Sequence, residues 1–270
     1  MRDLPVRLSA RPAIRAAALG ITLAAAGCGD GGGTAPDGNA RALGAIVMAA
    51  RGGVVTGVVP TEDCSYDAST GWHTCPPAGQ GGVSRAMTVR YVDAAGNPQR
   101  TLDAHTVAQV VRAVITGRTT SSTPTETQQM TVDIVREETI TGSNSADRTI
   151  VQNGTGGGTE TGTLTTPDGE YTVVRVSADT TRDITTRLDA VIPSQRGGPA
   201  IAWPSSGITI QNRRTTYTPK SGGAPRVEVQ RHTSEWIGGG KARVTIVVDG
   251  RTAMCMIVDE VAGGSMPCAP

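Results

Sequence analysis

Three histidines, His73, His105 and His232, are the side chains of this 270-residue chain whose ordinary titration lies near neutral pH. They fall on three separate predicted strands or hairpins, and the nearest local pair is Asp103-x-His105. A zinc site needs three or four converging ligands at recognisable spacing, and no His-x-His, His-x-x-His or His-Glu-x-x-His occurs. Surface or half-buried strand histidines are therefore expected, with no metal and no cofactor. Serine chemistry has no better footing, because neither Gly-x-Ser-x-Gly nor Ser-x-x-Lys is present. The acidic neighbours Glu137-Glu138 and Asp259-Glu260 cannot work as a carboxylate pair, since successive strand residues point to opposite faces; they read as solvated faces or turn flanks. The run Asn153-Gly154-Thr155-Gly156-Gly157-Gly158 is not followed by a helix-forming stretch, as a phosphate loop would require. It reads as a flexible hairpin loop. No catalytic residue is assigned.

Cysteine carries the other chemistry. Cys28, Cys64, Cys75, Cys255 and Cys268 make an odd total, so in an oxidising compartment one is left over. Cys64 and Cys75 can close a hairpin in which Tyr66 pairs with His73 and Asp67 with Trp72, around a turn at Ala68 to Gly71. Cross-strand spacings of roughly 4.5 to 5.5 Å suit a disulfide. Cys255 and Cys268 would pair around Gly263-Gly264 and hold the carboxyl terminus. Neither pair has the Cys-x-x-Cys spacing of a redox-active dithiol, so both are expected to be structural. The odd cysteine is Cys28.

Its surroundings say what Cys28 is for. Arg2, Arg7, Arg11 and Arg15 precede an apolar run from Ala16 to Ala26, the layout of a secretory signal. That run is roughly half of the about 20 residues a membrane span requires. Leu23-Ala24-Ala25-Ala26-Gly27-Cys28 resembles the lipobox of bacterial lipoprotein precursors. The resemblance covers the signal alone and implies that Cys28 is acylated and becomes the first residue of the mature chain. Ala25 stands where that class usually has Leu, and a plain signal-peptidase site at Ala24-x-Ala26 is the competing reading. Lipid on Cys28 would remove the odd thiol and anchor the chain to a membrane of the bacterial envelope. The outer membrane is preferred, with the domain in the periplasm or at the cell surface.

Removing the signal's four Arg and one Asp turns a formal charge of +1 into −2, with 21 basic and 23 acidic side chains left. Lys and Arg are scattered singly, so no phosphate-binding patch and no nucleic-acid partner is expected. Phe is absent, and three Trp and four Tyr supply the aromatic surface. The core must be built of Val, Ile, Leu, Met and Ala.

The elements that must position these residues are strands. Met87-Val89-Tyr91, Met130-Val132-Ile134 and Val244-Ile246-Val248 each alternate with their neighbours at period two. Ala95-Gly96-Asn97-Pro98, Asn153-Gly154, Pro167-Asp168-Gly169, Ser221-Gly222-Gly223 and Asp249-Gly250 punctuate them as turns. His105 to Thr120, Met130 to Gly142 and Gly169 to Leu188 run well beyond the usual strand of about five or six residues. Long strands joined by short turns predict an all-β antiparallel meander forming a curved sheet, open half-barrel or barrel, with at most one short helix at Asn39 to Ala50. Ser121 to Pro124 and Pro193 to Pro204 read as long loops. The expected organisation is a signal peptide over 1–27, lipidated cysteine and linker over 28–39, and one β domain over 40–270, with two lobes divided near residue 195 as the other arrangement. The function expected is noncatalytic: an envelope lipoprotein displaying a β domain for binding or structural contact, its partner an envelope protein. The alternatives are a carrier of an apolar ligand and a hydrolase.

Overall fold

The computed structural model describes residues 61–80, 82–143, 147–192, 201–262 and 264–269. Cys28, the signal and the helix expected at 39–50 lie outside them. The described residues form one antiparallel sheet of thirteen strands, curved and not closed. In chain order the strands are β1 (Ser65–Asp67), β2 (Trp72–Gln80), β3 (Val83–Asp93), β4 (Pro98–Gln99), β5 (Thr106–Ser122), β6 (Thr127–Thr141) and β7 (Thr149–Thr166). They continue with β8 (Gly169–Ile192), β9 (Ile201–Pro219), β10 (Arg226–Gly238), β11 (Lys241–Val248), β12 (Arg251–Asp259) and β13 (Gly264–Pro267). Each strand pairs with the next except β4, which pairs with the end of β3 and leaves β3 beside β5. This is the expected meander, in its open form.

A single sheet has no second layer to bury its face, and the described residues include no helix. Val89, Ile140, Val173, Ile184 and Ile246 are nevertheless completely buried. They lie on one side of the curved sheet, packed against side chains of nearby strands. Period-two alternation sorts the sequence between the two faces. On β6, Met130, Val132, Arg136, Glu138 and Ile140 turn inward, while Asp133, Val135 and Glu137 turn outward and are exposed. Apolar clusters occupy the two ends of the concave face. At one end Cys75, Val89, Tyr91, Val111, Ile140 and Ile150 pack together, with Ile184, Trp236 and Ala242 forming a further cluster. At the other end are Met130, Leu164, Val173 and Tyr217.

Tight turns set the register. Asp249 (φ 47°) and Gly250 (φ 81°) form a two-residue hairpin in which both positions need positive φ. The break expected at Ser121 to Pro124 is instead a four-residue turn, closed by hydrogen bonds in both directions between Thr123 and Glu126. Pro204 lies inside β9, opposite Thr186, where the ladder is already irregular. An interrupted register tolerates the missing amide. The largest departure concerns residues 153–158, expected to be a hairpin loop. They are the middle of β7, paired without a break to β6. Thr on the opposite face supplies the strand preference that glycine lacks, and both neighbours are long enough to impose the pairing.

Gly154, Gly156, Gly158 and Gly162 all fall on the concave side of β7, in phase with Ile150, Gln152 and Leu164. A Cβ at Gly158 would lie 2.1 Å from the Asp133 carbonyl oxygen, and one at Gly162 would lie 1.8 Å from that of Gln129. The backbones of β6 and β7 approach too closely there for any side chain.

Both disulfides sit at the margins of the open sheet. Cys64–Cys75 ties the lead-in of β1 to β2, with Tyr66 opposite His73, Asp67 opposite Trp72, and Gly71 at φ 72° in the turn. Cys255–Cys268 ties the end of β13 to β12. Each bridge holds a short outermost strand over a longer one, which blunts edges that would otherwise offer unpaired amides and carbonyls to another chain.

Two expectations follow. Gly158→Ala should destabilise the domain by about 3 kcal/mol, at or above the upper range for overpacking, as read by urea unfolding; an unchanged midpoint would show that β7 does not need its glycine floor. Replacing Cys64 and Cys75 together by Ser should cost about 3 kcal/mol in the chain-entropy account and produce concentration-dependent association in light scattering. A monomer of parental stability would refute the edge-guarding role.

Candidate functional site

Between the apolar ends, the concave face is polar and charged. The first contributor is β6, which points Arg136 and Glu138 inward; β7 places Gly154 and Gly156 directly opposite them, and β8 places Thr181 and Asp179 opposite those. Strands two apart are separated by roughly 9.5 Å, which a long and a short side chain can bridge if nothing stands between. Nothing does: Arg136 reaches across Gly156, and its Nη2 donates to Asp179 Oδ2 at 2.8 Å. A Cβ at residue 156 would stand 2.6 Å from Arg136 Cγ. Two inward rows further along, Arg175 on β8 pairs with Glu160, its direct neighbour on β7.

The row then continues onto β9 and β10. Gln211 lies opposite Asp179, and His232 lies opposite Gln211. Arg213 Nη2 donates to Gln211 Oε1 at 3.2 Å. His232 is 3% exposed, and its Nε2 is 3.0 Å from Gln230 Oε1. Gln230 Nε2 in turn donates to Glu228. With the Gln230 amide nitrogen committed to a carboxylate, its oxygen faces His232 as acceptor. That arrangement selects the tautomer with the proton on Nε2 and leaves a lone pair on Nδ1.

The electrostatics follow from burial. Glu138 is pushed up to about 7, first by burial, against the opposing charges of Arg136 and Arg85 and a 2.8 Å hydrogen bond from Gln152 Nε2. His232 is pulled down to about 4, first by burial and then by Arg213 and Arg175, with Asp179 opposing. Burial and the nearby Arg175 also lower Arg213.

The three histidines do not meet. His105 is exposed in a turn, where its backbone amide donates to Asp103 Oδ1 at 2.8 Å; the Asp103-x-His105 pair is thus a local turn contact. His73 is buried between the rings of Tyr66 and Tyr91, 4.8 and 5.5 Å away, and burial lowers its pKa. His232 lies in the charged band. The expectation of surface or half-buried histidines therefore fails at His73 and His232, both of which belong to the core. Among the described residues no three His, Cys, Asp or Glu side chains converge as metal ligands.

The reading of Glu137-Glu138 as a solvated pair holds for Glu137 and fails for Glu138, which is 7% exposed. Alternation around Val135 and Glu137 could have located it, because Arg136, Glu138 and Ile140 share one parity. Pairing across Gly156 had no such signal, since it depends on the register of three strands. Asp259 conforms to the turn-flank reading, with Oδ1 accepting from the amides of Val261 and Ala262. No known protein family, no curated protein and no solved structure matches the chain.

Glu138 and His232 make opposite contributions to stability in one pH window. The folded value of Glu138 is above its ordinary 4.5, so its contribution is complete below pH 4.5 and is lost as pH rises through about 7. The folded value of His232 is below its ordinary 6.5, so its contribution is complete above pH 6.5 and is lost as pH falls through about 4. Glu138→Gln should therefore make stability climb more steeply from pH 4.5 to 6.5 than in the parent, and His232→Gln should make it fall. Denaturant unfolding across that range reads the slopes; two variants that both track the parent would contradict the burial of these groups.

Proposed function

We propose that the chain is an exported bacterial lipoprotein, acylated on Cys28 and held at the envelope, preferably the outer membrane. Its β domain is displayed for noncatalytic binding or structural contact with another envelope component. One observation carries the reading: the convex face is broad and solvated, with charges set among exposed valines such as Val135, Val174, Val176 and Val229. Arg112, Asp133, Glu137, Arg214, Arg231 and Arg243 are all exposed there, on β5, β6, β9, β10 and β11. Thr155, Thr159, Thr161 and Thr165 are exposed along the outer side of β7. Charges at these positions oppose a lipid-facing role, because a membrane-spanning barrel turns an apolar band about 25 Å tall outward. Two disulfides and long continuous ladders keep such a surface rigid, which lowers the entropy lost on contact.

The carrier reading is weaker. An apolar ligand in the middle of the concave face would lie against Arg136, Asp179, Arg175 and Glu160, and would strip water from ions without pairing them. A hydrolase would need a nucleophile beside its base, and no group is hydrogen-bonded to the Nδ1 of His232.

Expression of the full chain in a bacterial host with labelled palmitate tests the anchor. Label should appear in the parent and vanish in Cys28→Ala, with the protein released in soluble form; unchanged membrane retention of that variant would sink acylation. Native mass spectrometry of the protein purified from its envelope tests display against carriage. The expected species is the lipidated chain alone or with a protein partner, and a stoichiometric apolar adduct would overturn the reading in favour of the carrier.

A further inference from the structure

Three arginines project into the middle of the concave face from β6, β8 and β9, and their circumstances differ. Arg136 is paired with Asp179, and Arg175 is paired with Glu160. Arg213 has neither: among the described residues no carboxylate lies within ion-pairing distance of it. Its hydrogen bond is to a neutral acceptor, Gln211 Oε1 at 3.2 Å. Its Nε, like those of Arg136 and Arg175, is buried without a hydrogen-bond partner. A guanidinium has five donors and cannot shed its charge under ordinary conditions, so a largely buried one normally finds an anion. Burial weighs first against its charge; Arg175 repels it, and Glu160 and Asp179 attract it without forming an ion pair with it.

The surroundings are partly open to solvent. Arg213 itself, Ser177 opposite it on β8, and Arg175, Glu160, Gly156 and Gly158 all keep partial exposure, although they lie on the concave side. The glycine floor of β7 thus borders a partly exposed stretch of the concave face whose long side chains are charged. We propose that this stretch is a binding site for a small monoanionic carboxylate, held by the guanidinium of Arg213 on β9. The planar fork of a guanidinium matches a carboxylate in a two-point contact. Asp179 and Glu160 belong to the same charged band and limit the charge it accepts, so a dianion such as hydrogen phosphate is disfavoured by repulsion. The site faces away from the displayed convex surface and does not depend on acylation or on a protein partner.

Arg214 supplies an internal control, being the next residue on the same strand and exposed on the opposite face. The full-length protein is titrated with sodium acetate at constant ionic strength, with chloride making up the balance, and Tm is followed. Acetate should raise Tm along a saturable curve. The rise should disappear in Arg213→Gln and persist in Arg214→Gln. Arg213→Lys, which keeps the charge and loses the fork, should shift half-saturation at least several-fold towards higher acetate. Phosphate at matched ionic strength should give a smaller rise. The proposal fails if acetate and chloride are equivalent in the parent, if Arg213→Gln responds as the parent does, or if phosphate is the stronger ligand. Should Arg213→Gln not fold, the parent, Arg214→Gln and Arg213→Lys titrations still decide between these outcomes.

Discussion

Curvature is the constraint on which this domain depends, and β7 is where it is concentrated. Among the described residues the sheet has no partner layer, so its apolar side chains leave water by packing together along the concave side. Bulk on the inner side of a bend opposes bending. The strand at the middle of the sheet answers by placing glycine at four of its inward positions, two of which, Gly158 and Gly162, meet neighbouring carbonyl oxygens so closely that no Cβ fits. On the outward side of the same strand, threonines keep the extended conformation that glycine by itself would not favour. One strand therefore carries two codes at alternate positions, permissive inside and stiff outside.

The ion pairs are a consequence of that floor. Where glycines leave the inner face of β7 bare, β6 and β8 become neighbours across it, and Arg136 meets Asp179 over Gly156. A buried pair of this kind is weak evidence of net stabilisation, because desolvation consumes much of the attraction. Its effect is on specificity: a register slip of one residue would send Arg136 and Asp179 outward and bring exposed valines in. The same dependence on register applies across β8, where the bulge at Asp183 (φ 51°) resets the inward parity. Its amide is held by Asn153 Oδ1 at 2.9 Å. Beyond it Ile184 and Thr186 turn inward in place of the odd-numbered series.

Much of this was legible in the residues themselves. Period-two alternation located β3, β6 and β11, the long stretches between turns located β5 and β8, and the spacing of Cys64 and Cys75 foretold both the bridge and the pairing of Tyr66 with His73. What misled was local chemistry read without neighbours. Glycine clustering at 153–158 resembles a loop in isolation, and only the length of β6 and β8 makes it a strand. Glu138 and His232 look like surface groups until alternation is extended across several strands. Their burial depends on how far the sheet curls, and curling is a property of the assembled sheet.

The charged band also bears on what such a domain can hold. Apolar clusters lie at both ends of the concave face, while the middle keeps partly exposed Arg175, Glu160 and Arg213 over bare backbone. A charged band of that composition, partly withdrawn from water, strengthens electrostatic selection. It selects by charge count and by size more than by shape, since glycine contributes no contour. Discrimination there rests on one unmatched guanidinium against two fixed carboxylates, so the sign and the magnitude of a ligand's charge govern entry before any fit to its remaining atoms.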